Sequence, residues 1–194
     1  SALIRVERLD GDDGIIAKAY EWFVPESVAI SRVLDDELVV ASDFRIDPAG
    51  HLRMAVFARN GTGERRIGRV VQRLCEIETY KSMAMLGLAA ARKLSPIMGT
   101  IDGQVSHLIA DLNSDDVQPD QTLKQLLTIS AELENIVAQT AYRFGATGAY
   151  ETIVNQRISI LREDRFLGRQ TFGEFMMRRF DPAMRTVEST QARL

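Results

Sequence analysis

The 194-residue sequence lacks most of the patterns that identify a catalytic, metal-binding or membrane-spanning protein. Cys75 is the single cysteine and only 2 histidines are present, so a disulfide scaffold is excluded and no zinc-binding pattern exists. The 5 prolines and 13 glycines are too few for a collagen-like repeat. The longest weakly polar stretch, residues 83–91, is half the length of the ~18-residue run that a transmembrane helix needs. What remains is an ordinary globular composition, with 45% hydrophobic residues to form a core.

An excess of charge of one sign is also missing. The chain has 24 basic and 27 acidic residues, a net charge of −3, so it lacks the broad positive field of a nucleic-acid-binding protein. Residues 1–60 carry 7 basic and 11 acidic groups, a net charge of −4, and residues 61–194 carry 17 and 16, a net charge of +1. Neither region predicts a surface for a polyanion. We therefore expect no nucleic-acid partner.

The first sixty residues have the alternation of apolar and polar side chains that is typical of β-strands. The pattern predicts a strand at residues 3–8 and a short helix at residues 15–23. Residues 28–34, 38–46 and 52–58 follow as the three arms of an antiparallel meander. This region is predicted to be a small β-rich subdomain.

Beyond residue 60 the apolar period changes from 2 to about 3.6, which indicates helices. A first helix is predicted over residues 64–93, and Ser95–Pro96 resembles the capped start of a second one. A third helix begins at Asp120, and its apolar spacing continues to residue 161. Gly145 and Gly148 lie inside it, and the pattern leaves open whether they kink it.

Two further signals concern the ends of helices. Gly168 is predicted to terminate the third helix at a C′ position. Residues 171–174, Thr-Phe-Gly-Glu, match a capping box and predict the start of a last helix. The expected fold is therefore α+β. A small antiparallel β-meander with a short helix occupies residues 1–60, and long antiparallel helices over residues 61–194 form a bundle or a coiled-coil-like hairpin.

The densest group of charged and polar residues lies on the first long helix. Arg73 and Glu76 are i, i+3 neighbours, as are Glu78 and Lys81, and Tyr80 shares a helix face with Glu76. Paired charges of this kind predict a latch that holds the helix to a neighbour. A purely solvated face is an equally good interpretation of the same spacing, so both stay open here.

An enzyme needs several polar groups that converge in a pocket. A deep pocket containing Glu76, Tyr80 and Arg143 would be such a site, so Arg143 joins the candidate residues. The sequence contains no linear catalytic signature and no cofactor-binding motif. We therefore predict a non-enzymatic protein without a cofactor or a metal.

Other residues that often carry chemistry have a simpler interpretation here. His51 is predicted to be exposed in a turn, and His107 to be a partly buried structural histidine. Cys75 has no histidine near it in sequence and is predicted to be inert. The pairs Asp12–Asp13 and Asp115–Asp116 lack the twelve-residue pattern of a calcium loop and are predicted to lie in solvated loops.

Four segments carry a resemblance to a known family. They are residues 40–45, 65–80, 133–144 and 172–186, and the most specific is Gly-Arg-Val-Val-Gln-Arg-Leu-Cys-Glu-Ile-Glu-Thr-Tyr within residues 65–80. In this order and over essentially the whole chain, they resemble a bacterial family of uncharacterised membrane-anchored proteins. That family is catalogued as a domain of unknown function and is sometimes labelled egg-lysin-like.

The resemblance implies a longer protein than these 194 residues. It implies an upstream segment, further helix beyond this region and a C-terminal apolar hairpin that enters the membrane. The start at Ser1 without an initiator Met, and the apolar helical row that continues to Leu194, agree with that expectation. The region is then expected on the cytoplasmic side of the bacterial inner membrane.

These observations predict two classes of function. The first is a non-enzymatic interaction or scaffold domain, which binds a protein partner or associates with itself through its helices. The alternative is the cytosolic domain of an ion channel or transporter similar to CorA, an analogy at the level of fold alone.

Overall fold

The computed structural model describes residues 1–112 and 119–194. A sheet near the N-terminus is followed by long helices, which confirms the predicted α+β class. The strands are β1 (Ala2–Arg8), β2 (Ala29–Val33), β3 (Leu38–Ser42), β4 (Leu52–Ala58) and β5 (Asp164–Arg165). The helices are α1 (Asp12–Trp22), α2 (Glu64–Leu112), α3 (Pro119–Leu161) and α4 (Phe172–Arg193), with a short 3-10 helix at Pro25–Ser27.

Within the described residues the strands form one sheet in the order β1-β4-β3-β2-β5. The predicted meander is confirmed, because β3 pairs antiparallel with both β2 and β4. β1 lies parallel to β4, with Ala2 opposite Leu52 and Arg8 opposite Ala58. The other edge is β5, which the sequence analysis missed because two consecutive polar residues show no alternating apolar pattern.

Both faces of the central strands are buried. On one face, Ile15 and Ala19 of α1 join Phe57 and the neighbouring strand residues in a single apolar cluster. On the other face, Val40 and Val56 lie opposite each other in the register and are fully buried. Burial on both faces explains why these strands are nearly continuous apolar runs rather than clean alternations.

The predicted break at Ser95–Pro96 is wrong. The helix α2 runs without interruption through Pro96, although proline removes one N–H donor and is unfavourable inside a helix. The side chains of Leu94 and Met98, on either side of the proline, are both buried. Tertiary packing of this apolar stripe therefore outweighs the local preference of proline for a helix start.

The helix α3 is also continuous through Gly145 and Gly148, the point that the sequence left open. The predicted stop at Gly168 is wrong, because α3 already ends at Leu161. Arg162 follows in the left-handed conformation, with φ of 48°, and turns the chain towards β5. A positive φ at a non-glycine residue has no clear sequence signal, which is why this helix end was misplaced.

The predicted capping box at the start of α4 is confirmed. The backbone N–H of Glu174 donates to Thr171 Oγ1 at 3.1 Å, and the backbone N–H of Thr171 donates to Glu174 Oε2 at 3.2 Å. The reciprocal bonds satisfy two donors that the first turn of a helix leaves unpaired. The helix then continues through Pro182 to Arg193.

The chain divides into two compact units, which we name the sheet unit and the hairpin unit. The sheet unit comprises Ser1–Ser82 and Glu151–Asp181, and the hairpin unit comprises Met83–Tyr150 and Pro182–Leu194. Compactness does not measure independent folding, so the predicted subdomains 1–60 and 61–194 stay a prediction. Among the described residues, no helix combines the length and the hydropathy needed to cross a membrane.

In the hairpin unit, α2 and α3 run antiparallel. Gly87 lies against Thr147 near one end, and residues 104–111 and 121–132 line a common cavity towards the other. A Cβ atom at Gly87 would come within 2.8 Å of Thr147 Cγ2 and 2.9 Å of Thr147 Cβ. The absence of a side chain at Gly87 is therefore what allows the two helices to approach each other here.

Candidate functional site

The candidate residues on α2 contain both of the expected ion pairs. Arg73 Nη1 lies 2.9 Å from Glu76 Oε2, and Lys81 Nζ pairs with Glu78. Glu76 also forms an ion pair with α3, where Arg157 Nε lies 2.5 Å from Glu76 Oε2. Glu76 thus joins α2 to α3 within the sheet unit, which is the geometry that a latch requires.

The electrostatics of Glu76 agree with this geometry. Burial alone would raise the pKa of the Glu76 carboxyl, but hydrogen bonds from Arg73 and Gln72 and the positive charge of Arg157 outweigh burial. The pKa of Glu76 is therefore below its usual range, and the side chain is ionised at neutral pH. The contact with Arg157 favours the latch over a purely solvated face at Glu76.

The remaining candidate residues are divided between the two units. Tyr80 lies in the sheet unit with Glu76, in the last part of α2 that belongs to that unit. Arg143 is a half-buried residue of α3 in the hairpin unit. An interaction role for Arg73, Glu76, Glu78, Tyr80 and Arg143 stays a prediction.

Arg73 also lines a cavity that the sequence analysis did not anticipate. The cavity has a volume of about 310 Å³ and lies between the start of α2, the turn after β2 and the end of α3. Its charged lining residues are Arg66, Arg69, Arg73, Arg162, Asp35 and Glu37. We name it the arginine-lined cavity. Arg73 was a candidate from the sequence, whereas Arg162 was not, because it follows a helix end that the sequence misplaced.

The arginines of this cavity differ in how far they are neutralised. Arg66 pairs with Glu37, and Arg162 Nη2 lies 3.0 Å from Asp35 Oδ2. Arg69 Nε donates to the backbone carbonyl of Arg65 at 3.4 Å, and no carboxylate of the described residues lies within ion-pair distance of its guanidinium. Arg69 is therefore the cation of the cavity that is least neutralised by the protein.

The turn at the mouth of this cavity has an unusual backbone. Leu34, Asp35 and Asp36 adopt positive φ angles of 52°, 59° and 66°. The backbone N–H of Leu34 donates to the carbonyl of Leu161 at 3.1 Å, which ties this turn to the end of α3. Consecutive non-glycine residues in the left-handed region are costly and persist only where their surroundings hold them.

Side-chain ion pairs hold this turn from the other side. Arg32 Nη1 lies 2.7 Å from Asp36 Oδ2, and Arg59 Nη2 lies 3.2 Å from Asp36 Oδ1. Asp12 bridges the same two arginines at 2.6 Å each. The prediction that Asp12 lies in a solvated loop is therefore wrong, because Asp12 begins α1 and is paired. Asp115 and Asp116 lie outside the described residues.

The histidines and the cysteine do not form a site. His107 was predicted to be partly buried, which is wrong: its side chain is 80% exposed, with Nδ1 2.9 Å from Asp111 Oδ2. His51 Nδ1 lies 3.4 Å from Asp47 Oδ1 beside the predicted turn, and Cys75 is exposed. Within residues 1–112 and 119–194, no three His, Cys, Asp or Glu side chains are grouped so that they could hold a metal ion.

A half-buried carboxylate near the start of α4 has no signal in the sequence. Glu163 accepts hydrogen bonds from Ser31 Oγ at 2.7 Å and from the backbone N–H of Gly173 at 2.9 Å. Ser31 Oγ accepts the backbone N–H of Phe172 at 2.6 Å. A Cβ at Gly173 would lie only 2.5 Å from Glu163 Oε2, so any larger residue there would displace the Glu163 carboxylate from these hydrogen bonds. Glu163 therefore positions α4 against β2 and has a structural role.

The hairpin unit has a different kind of surface near residues 113–118. Large apolar side chains are exposed on both helices, between 41% and 62% of their area. They are Ile109 and Leu112 on α2, and Leu123, Leu126 and Leu127 on α3. A cavity of about 670 Å³, lined by residues 104–111 and 121–132, separates the two helices here. We name the described residues of 102–134 the hairpin end.

The hairpin end is also strongly acidic. Its described residues, 102–112 and 119–134, contain five acidic residues and one lysine, a net charge of −4, whereas the whole chain carries −3. Lys124 is the single basic residue of this segment. Apolar area and negative charge therefore coincide at one end of the hairpin.

A comparison with protein-family models shows the family to which the chain belongs. The family model described as Protein of unknown function (DUF3422) matches residues 1–194. The chain belongs to the DUF3422 family. No curated protein and no solved structure gives a significant match.

Membership of the DUF3422 family confirms the resemblance to a domain of unknown function over the whole chain. The membrane anchor, the bacterial source and the egg-lysin-like label stay predictions. The family description assigns no catalytic or binding residue, so any role for the hairpin end or the arginine-lined cavity must be argued from their own chemistry.

Proposed function

We propose that this DUF3422 chain is a non-enzymatic interaction domain that binds a basic, amphipathic helical segment of a partner protein at the hairpin end. The single observation that carries the proposal is the coincidence of five exposed large apolar side chains with a local net charge of −4. The non-enzymatic part rests on the sequence, which has no linear catalytic signature.

The apolar side chains supply the driving force. One exposed leucine is normal on a protein surface, but a group of them on adjacent helices is typical of an interaction site. Burial of apolar area contributes roughly 25 cal/mol per Å². The cavity between α2 and α3 offers an amphipathic helix a groove in which to place its apolar face, a common mode of recognition.

The charge specifies the partner. A basic segment would be attracted to the acidic residues of the hairpin end, whereas a second hairpin end would bring a further net charge of −4 to the interface. An anionic lipid surface would be repelled for the same reason. Electrostatic complementarity therefore favours a basic protein segment over self-association and over lipid.

The proposal is tested by site-specific crosslinking in the full-length protein in its native cells. A photoreactive amino acid replaces Leu127, and a matched control replaces Leu167, which is exposed to a similar extent in the sheet unit. We expect a partner crosslink at position 127 only, mapping to a segment with alternating basic and apolar residues.

The mapped segment is then synthesised, and its binding to the purified chain is measured by fluorescence anisotropy. We expect the affinity to fall with rising salt, and to fall at least tenfold in L123S/L127S, because both charge and apolar contacts are needed. Equal crosslinking at positions 127 and 167 would contradict the proposal. Crosslinks only between copies of the chain would replace it with self-association.

On the resemblance alone, we further propose that the domain performs this role as a scaffold beside the bacterial inner membrane. The test is fractionation of cells that express the full-length protein. Recovery in the inner-membrane fraction after a high-salt wash would support an anchor, and recovery in the washed supernatant would contradict it.

A further inference from the structure

We propose that the arginine-lined cavity binds a small phosphate monoester that carries hydroxyl groups, as sugar phosphates do. This site lies wholly in the sheet unit, and the proposal is independent of partner binding at the hairpin end. The inference rests on the placement of the arginines, the balance of charge and a carboxylate oxygen that lacks a partner.

Three of the arginines form a row. Arg66, Arg69 and Arg73 are spaced by three and four residues, so they lie on one face of α2 and line the same cavity. Arg162 approaches from the end of α3. Planar guanidinium groups bind phosphate oxygens with paired N–H donors, and such charge-assisted hydrogen bonds are among the stronger ones.

The charge balance sets the charge of the ligand. Four arginines and two carboxylates line the cavity, which leaves two positive charges. Arg157 and Glu76, which adjoin Arg73, add one charge of each sign and leave this balance unchanged. A phosphate monoester carries close to two negative charges at neutral pH and matches the surplus.

Two of the arginines can turn to a ligand at little cost. The Arg162–Asp35 pair is mostly exposed, with 60% and 73% of the two side chains accessible, and such pairs contribute little to stability. Arg69 has no carboxylate partner among the described residues. Both guanidinium groups are therefore available to phosphate oxygens without breaking a buried contact.

The acidic residues indicate what the rest of the ligand offers. Glu37 pairs with Arg66 through Oε1, while its Oε2 is buried and has no hydrogen-bond partner among the described residues. A buried acceptor without a donor is unfavourable, and a ligand hydroxyl would supply the donor once the partly exposed Glu37 side chain turns Oε2 towards the cavity. The volume of about 310 Å³ suits a phosphorylated small molecule and is too small for a polymer.

The test is isothermal titration calorimetry of the 194-residue chain with glucose 6-phosphate, glucose and inorganic phosphate. We expect saturable one-to-one binding of glucose 6-phosphate, at least tenfold weaker binding of inorganic phosphate, and no binding of glucose. No saturable heat with glucose 6-phosphate would overturn the proposal. Equal affinities for the two phosphates would overturn the role given to Glu37.

Two matched variants separate a built site from general charge attraction. R69Q removes the guanidinium that is least neutralised, and we expect at least a tenfold loss of affinity. R65Q removes the same charge one turn earlier on α2, from a residue that does not line the cavity, and we expect less than a twofold change. An equal loss in both variants would overturn the site.

The fold of each variant is checked by its thermal midpoint without ligand, because both arginines are exposed and their loss is expected to leave folding intact. E37Q then tests the hydroxyl contact. We expect E37Q to reduce the preference for glucose 6-phosphate over inorganic phosphate, and an unchanged preference would overturn that contact.

Discussion

Of the described residues, the one charged side chain that is buried lies in the sheet unit, whereas the hairpin unit groups exposed apolar side chains at one end of its two long helices. Asp43 in the sheet unit is almost fully buried and lies 2.9 Å from Arg53 Nη2. In the hairpin unit the Arg193–Asp102 pair is largely exposed, with 47% and 61% of the two side chains accessible. Leu127 on the same unit is 62% exposed.

The difference indicates what each unit is built for. The buried charge of Asp43 needs specific partners, and through Val24, Arg45 and Arg53 it fixes the chain that follows β3. Exposed apolar side chains contribute little to a fold but are available to a partner. We therefore expect substitution of the buried charge in the sheet unit to change stability, and substitutions of exposed leucines at the hairpin end to change binding alone.

The largest expected effect is that of D43A. Asp43 Oδ1 and Oδ2 accept the backbone N–H groups of Arg45 at 3.1 Å and Val24 at 3.2 Å, in addition to the Arg53 contact. Removing the carboxylate leaves these donors without an acceptor, and we expect a loss of about 3 kcal/mol in the free energy of unfolding. Urea denaturation followed by circular dichroism measures it.

D13A is the matched control, because Asp13 is exposed and has no buried contact of this kind. Its free energy of unfolding should change by less than about 0.5 kcal/mol. Similar losses in the free energy of unfolding for D13A and D43A would contradict the larger role that we assign to the buried charge.

The second comparison lies within the hairpin unit. Leu108 is only 6% exposed, and L108A should cost about 2–3 kcal/mol in the free energy of unfolding. Leu127 is 62% exposed, and L127S should cost less than about 0.5 kcal/mol. A large loss of stability in L127S would show that the hairpin end serves folding, and would weaken its role as a binding surface.

The close approach of α2 and α3 at Gly87 gives a third test. G87A introduces a Cβ within 3 Å of three Thr147 atoms, so the two helices or the Thr147 side chain must shift, and we expect a loss of about 1–2 kcal/mol in the free energy of unfolding. Gly99 lies in the same helix with open space around it, so G99A should instead stabilise by up to about 1 kcal/mol. Thermal unfolding measures both effects: we expect the thermal midpoint to fall in G87A and to rise in G99A.

The α+β class, the meander and the capping box of α4 could be predicted because each depends on local spacing. Turn and cap residues lie within a few positions of each other. Apolar residues recur with a regular spacing wherever one face of a helix or strand is buried. The break at Pro96 was wrong because packing of Leu94 and Met98, which no local pattern contains, overrides the preference of proline.

The candidate site was harder to predict because its residues are distant in the chain. Spacing alone indicated Arg73 and Glu76. Their partner Arg157 lies in α3, about eighty positions after Glu76 in the chain. The cavity also needs Asp35 and Arg162, whose positions depend on left-handed backbone at non-glycine residues. A sequence carries no clear signal for such conformations.

The smallest expected effects concern the dependence of stability on pH. The pKa values of two half-buried carboxylates of the sheet unit, Glu163 and Glu76, are shifted in opposite directions. Burial raises the pKa of Glu163 above its ordinary 4.5, helped by the nearby charge of Glu174 and opposed by hydrogen bonds from Ser31 and Gly173. Its contribution to stability is therefore present below pH 4.5 and is lost as the pH rises through the raised pKa.

For Glu76 the sign is reversed. Its lowered pKa means that its stabilising contribution is present above pH 4.5 and is lost as the pH falls through the lowered value. In denaturation series from pH 3 to 8, we expect E163Q to flatten the decline in stability above ~4.5 and E76Q to flatten the decline below it. If both variants flatten the same side, the carboxylate of Glu163 is held ionised by Ser31 and Gly173, and its burial does not control its charge.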